Sequence, residues 1–90
     1  MNNSNIFLTE TTIKDFITGV ENRTDKNGHD YWVIRTKNSP FLAHSQDYNL
    51  EGKTRSLLTN YPHYLVNRYC LLKVKKQGNW DRVEAIELLT

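Results

Sequence analysis

Ninety residues make a single small domain, able to bury one compact core. Hydrophobic residues are 38% of the chain and charged residues 24%, and five Tyr, three Phe and two Trp argue against a disordered polymer. The net charge is a modest +2, and no apolar run is long enough to span a bilayer.

The charge is unevenly spread. Residues 1–30 carry three Lys/Arg and five Asp/Glu, residues 31–76 carry eight and two, and residues 77–90 carry one and three. The basic middle reads either as the wet side of strands or as an anion-binding face. Cys70 is the only cysteine, so neither an internal disulfide nor a Cys-based zinc site is available. Its apolar flanks, Tyr69 and Leu71, predict a buried thiol with a packing role. MNNSNIFLTE lacks a basic segment followed by an apolar one and does not read as a signal peptide. A cytoplasmic location is the expectation.

Residues 1–10 read as a flexible tail, and residues 11–90 as the domain. Thr11 to Thr24 is rich in β-branched residues and predicts a strand. Gly19 inside it predicts a bulge or bend. Asn27-Gly28 signals a hairpin turn, and Asp30 to Lys37 is the second strand. Asn38-Ser39-Pro40 turns the chain into a third strand over Phe41 to Gln46. Thr54 is the expected cap of a helix of one or two turns, limited by Pro62. Arg68 to Lys76 is the fourth strand, Gln77-Gly78-Asn79 a turn, and Arg82 to Leu89 the fifth strand.

The predicted class is mainly β: five strands with one short helix between the third and fourth. That is the order of an OB-like Greek-key barrel. A long first strand bent at Gly19 suits such a barrel, because it must curve to join both sheets. On this order, on Gly19-Val20 followed by Gly28-x-x-Tyr31, and on Arg82-Val83-x-Ala85-Ile86, residues 11–90 resemble OB-fold domains. They are similar in outline to those of replication protein A and bacterial single-strand binding proteins. The resemblance implies a ligand laid across strands two and three, between the Thr24–Asp30 and Gln77–Asp81 loops.

Strand two divides by its period of two. Trp32, Ile34 and Thr36 carry no formal charge and suit the core. Tyr31, Arg35 and Lys37 then share the outer face, where a ring stacks on bases and cations meet phosphates. A one-residue slip would exchange these roles. In strand three, Phe41 is either core or a second stacking platform, and His44 is either a phosphate donor or simply exposed. In strand four, Cys70, Leu72 and Val74 suit the core, leaving Tyr69, Lys73 and Lys75 outside. Trp80 follows a Gly-Asn turn and either closes the barrel end or meets ligand. Lys26 and Arg82 complete a basic rim.

There is no phosphate-binding loop of the GxxxxGK[ST] or GxGxxG kind. His29, His44 and His63 lack metal-site spacing. Glu84 and Glu87 read as surface charges. The expectation is therefore a non-enzyme without cofactor or metal. It binds single-stranded nucleic acid, DNA ahead of RNA, with little sequence preference: Tyr31, Phe41 and Trp80 stack on bases, and Arg35, Lys37, Lys26 and Lys73 contact phosphates. The alternative is a protein-interaction module or inhibitor docking on a larger complex, or a homo-oligomer.

Overall fold

The computed structural model describes residues 10–77 and 79–90; the side chains of Glu10, Gln77 and Trp80 lie outside that description, as does the expected tail over residues 1–9. Five strands form in order: β1 (Glu10–Thr24), β2 (Asp30–Thr36), β3 (Pro40–His44), β4 (Tyr69–Gln77) and β5 (Trp80–Leu88). Helix α1 (Gly52–Asn60) and a 3-10 turn over Pro62–Leu65 lie between β3 and β4. The mainly β class and the position of the helix are as the sequence predicts. Among the described residues, no helix is long and apolar enough to cross a membrane.

The sheet closes on itself in the order β1-β2-β3-β5-β4. β1 makes this possible by pairing with β4 through its first half and with β2 through its second. The register shifts between Ile17 and Gly19, so Thr18 is an extra residue opposite β2. A bulge of this kind bends the strand and reverses which side chains point inward. Ile13, Asp15 and Ile17 face the interior before it, and Val20 packs on the core after it. The weakest seam lies between β3 and β5, which share one parallel pairing, Leu42 with Arg82.

Trp32, Ile34, Phe41, Ala43, Cys70, Leu72, Val74, Val83 and Ile86 fill the barrel, with Leu50, Leu58 and Leu65 closing one end. Each fully buried large apolar side chain contributes about 1.5–3 kcal/mol. The expected phases of β2 and β4 hold. Phe41 is a correction: it is only 3% exposed, and Leu42 and His44 take the outward positions of β3. A ring so enclosed has no free face for stacking. Cys70 is buried, and that burial pushes its thiol pKa up, which makes it a poor nucleophile.

Two further expectations change. Thr54 does not cap α1; Glu51 occupies that position without a side-chain capping bond. Thr54 is instead fully buried, its Oγ1 donating to Glu51 Oε1 (2.8 Å) and accepting from the Ile86 N–H (2.9 Å). The helix is thereby pinned to β5. Glu84 is not a surface charge. It is the extra residue where β5 slips against Lys73 and Val74 of β4, and it is 9% exposed.

Asp15 is an inward carboxylate near the bulge. Burial raises its pKa, but hydrogen bonds from the Phe16 N–H, Thr36 and Asn38 outweigh that and hold it below the ordinary value. A carboxylate with a lowered folded pKa adds stability at neutral pH and loses it as pH falls through that pKa. Asp15→Asn is therefore expected to be less stable at pH 7 and to lose less stability below about pH 4. Urea melts across that range measure both. Thr54→Val, which strands the Ile86 N–H, is expected to cost about 1–3 kcal/mol in the same assay.

Candidate functional site

The bulge sets which residues of β1 reach the outer face beside β2. Beyond it, register pairs Arg23 with Tyr31, Glu21 with Val33 and Gly19 with Arg35. On the other side β2 pairs Tyr31 with His44, Val33 with Leu42 and Arg35 with Pro40. Arg82 of β5 joins through its pairing with Leu42. These rows enclose an open trough of about 510 Å³. Val33 and Leu42 lie among its lining with Tyr31 and His44, and Arg23, Arg35 and Arg82 bring positive charge to it.

Two guanidinium groups, of Arg23 and Arg35, meet the Glu21 carboxylate here. Glu21 Oε1 accepts from Arg35 Nε (2.9 Å) and Nη2 (2.6 Å), and its Oε2 accepts from Arg23 Nη2 (3.2 Å). These bonds, from Arg35 first and Arg23 second, hold the Glu21 carboxyl below its ordinary pKa. Hydrogen bonding to Glu21, then to Tyr31, raises that of Arg23. Each guanidinium is thus aimed but remains near half exposed. Arg82 differs: its Nε is buried and has no hydrogen-bond partner. A buried donor left without a partner is costly, and the Arg82 side chain lines the trough.

Asp25 organises the end of the trough. Its Oδ1 accepts from the N–H groups of Asn27 (2.9 Å) and His29 (2.8 Å), and its Oδ2 accepts from His44 Nε2 (2.9 Å). The His29 N–H first and His44 second hold its pKa down. Gly28 takes a φ of +85°, which closes the turn and is costly for any residue with a Cβ. The Gln46 N–H donates to His44 Nδ1 (3.0 Å), so that nitrogen is the acceptor and Nε2 carries the proton. Both ring nitrogens are engaged, and His44 acts as a strut between the loop and β3. Its ring lies parallel to Tyr31, within 2°, at a centroid distance of 6.1 Å.

Of the residues singled out from the sequence, Tyr31, Arg35 and Arg82 are brought together in this trough. Lys26 is exposed on the β1–β2 turn. Lys37 lies just past β2, in a shallow hollow it shares with Thr18, Arg35 and Asn38. Lys73 is not part of the face: it lines a separate groove with Leu57 and Lys53 of α1. Phe41 touches the trough only from the core. The proposed ligand role of the Trp80 ring lies outside the described residues.

Sequence reasoning missed Arg23, Glu21 and Asp25. The signal was present in Gly19, since a bulge there sends residues 21 and 23 outward together. Among the described residues, no group of three or more His, Cys, Asp or Glu is placed to hold a metal ion. Compared with protein-family models, curated proteins and solved structures, the chain finds no match in any of the three.

Asp25→Ala removes the acceptor for two backbone amides and for His44. The Asn27 and His29 amides are expected to exchange with solvent markedly faster, while those of β4 do not change. Amide hydrogen exchange read by NMR checks this.

Proposed function

We propose that this chain is an OB-type barrel that binds single-stranded nucleic acid, DNA in the first place, along the outer face of β1, β2 and β3. The fold reading is supported by the strand order β1-β2-β3-β5-β4 and by a helix between β3 and β4. One observation carries the function. An outward tyrosine, an apolar floor and three arginines share a single open trough. Stacking on a flat ring together with cations along a groove grips a strand whatever its sequence. Tyr31 takes a base, Val33 and Leu42 lie beneath, and Arg23, Arg35 and Arg82 meet phosphates. Lys26 extends the rim. On this reading the module works by binding, and His44, engaged at both ring nitrogens, braces the face.

The carboxylates Glu21 and Asp25 favour a second reading, a protein partner of mixed charge on the same face. An anionic strand must draw Arg35 away from Glu21, whereas an acidic and basic protein surface meets both signs. The two readings differ in what Glu21→Gln does. For a nucleic-acid site, that change frees two guanidinium groups and tightens binding.

Fluorescence anisotropy of a labelled oligonucleotide is the test. Tyr31→Ala is expected to weaken binding by about 1–3 kcal/mol. Lys53→Ala, in the groove against α1, is expected to leave it unchanged. If the three arginines each meet a phosphate, log K against log salt has a slope of about −2. Equal losses from Tyr31→Ala and Lys53→Ala would reject this face. Weaker binding by Glu21→Gln would favour the protein partner.

A further inference from the structure

A second group of aromatic side chains lies on the outer surface beyond the trough. Phe16 precedes the bulge, points outward and is 43% exposed, which is unusual for a phenylalanine on a strand. Its β4 neighbour is Tyr69, and their rings meet at 5.0 Å, tilted by 51°. Tyr64, half exposed, lies in the 3-10 turn that leads toward β4. The Arg68 guanidinium carbon sits 4.3 Å from the centre of its ring, and Arg68 Nε donates to the Tyr64 carbonyl (2.9 Å). The core uses none of these rings.

The group is joined to the trough by backbone. The Thr18 hydroxyl donates to the Arg35 carbonyl (3.3 Å), and the Lys37 N–H donates to the Phe16 carbonyl (3.1 Å). The Ile17 N–H donates to the Arg68 carbonyl (3.1 Å), which fixes the Tyr64 turn against the same stretch of β1. The order across the surface is therefore Tyr31, Arg35, Lys37, Phe16, Tyr69 and then Tyr64 with Arg68. Tyr31 and Lys37 are about 20 Å apart along β2 at about 3.3 Å per residue. Rings and cations both line this path, and the carboxylate beside Phe16, Asp15, is turned inward.

We infer that the strand does not end at Arg35 but continues past Lys37 onto Phe16 and Tyr69, with Tyr64 and Arg68 as the far contact. This rests on the nucleic-acid reading of the trough and deepens it, because it makes the barrel a binder of long single strands with two stacking stations. Continuity with the trough and the flanking cations favour this occupant over a protein. Sites on single barrels of this kind span about 4 to 16 nucleotides. The trough alone accounts for the short end of that range, and the added path extends it.

The experiment varies oligonucleotide length. Thymidine oligonucleotides of about 5 and about 15 residues span the site sizes expected of one barrel. They are titrated at low salt against the wild type, Tyr31→Ala, Phe16→Ala and Arg68→Ala. Wild type is expected to bind the long strand at least tenfold more tightly than the short one. Phe16→Ala is expected to lose most of that gain while binding the short strand as wild type does; Tyr31→Ala weakens both. Phe16→Leu keeps apolar bulk and removes the stacking face, and it is expected to behave like Phe16→Ala; if it keeps the wild-type gain, stacking is rejected. A Phe16→Ala protein that still gains from length overturns the extension but leaves the trough standing, and the aromatic group is then a protein contact. Failure of both lengths to bind the wild type rejects the trough reading and the extension together.

Discussion

The fold depends on one extra residue in β1. Fifteen residues form that strand, and it must serve two neighbours on opposite sides of a closed sheet. A regular strand of that length keeps one face inward throughout and does not curve enough to reach both. Thr18, unmatched on β2, bends the chain and resets its parity. Ile17 and Val20 then both reach the core, although they are three residues apart. The same shift presents Glu21 and Arg23 beside Tyr31 and leaves Phe16 outside.

A second slip, in β5, has a different role. There Val83 and Glu84 are both buried although they are adjacent. The Glu84 carbonyl accepts from the Glu51 N–H (2.7 Å) at the start of α1. Two residues on, the Ile86 N–H reaches Thr54. The irregular part of β5 is thus where the helix docks, and backbone groups freed from the ladder find partners on α1. Packing and hydrogen bonding at this corner support one another.

The face beside β2 is held by side chains rather than by the ladder alone. Glu21 braces two arginines, and Asp25 braces the turn and His44. Holding side chains in place before a ligand arrives lowers the entropy lost on binding. It also sets a cost, since an anion competes with Glu21 for the same guanidinium groups.

The sequence by itself determined a good deal. Asn27-Gly28 marked where one strand stops and Pro40 where another starts, because few residues adopt those backbone angles or lack an N–H. The uncharged set Trp32, Ile34 and Thr36 identified the inner face of β2, since burying Arg35 or Lys37 without a partner is too costly. Tyr31 and Arg35 were legible for the same reason. Only the tertiary structure decided the rest. Whether Phe41 or Leu42 faced inward depended on the register of β3 against β2, which sets Phe41 opposite the inward Ile34, and not on polarity. Lys73 has the same chemistry as Lys26, and only the path of β4 past α1 separated it from the trough. Ile86 against Thr54, Asn38 against Asp15 and the Glu51 N–H against the Glu84 carbonyl are far apart in sequence, and local pattern carries no record of them. Period and polarity fix which face a residue prefers, but closure of the sheet decides which neighbours share that face.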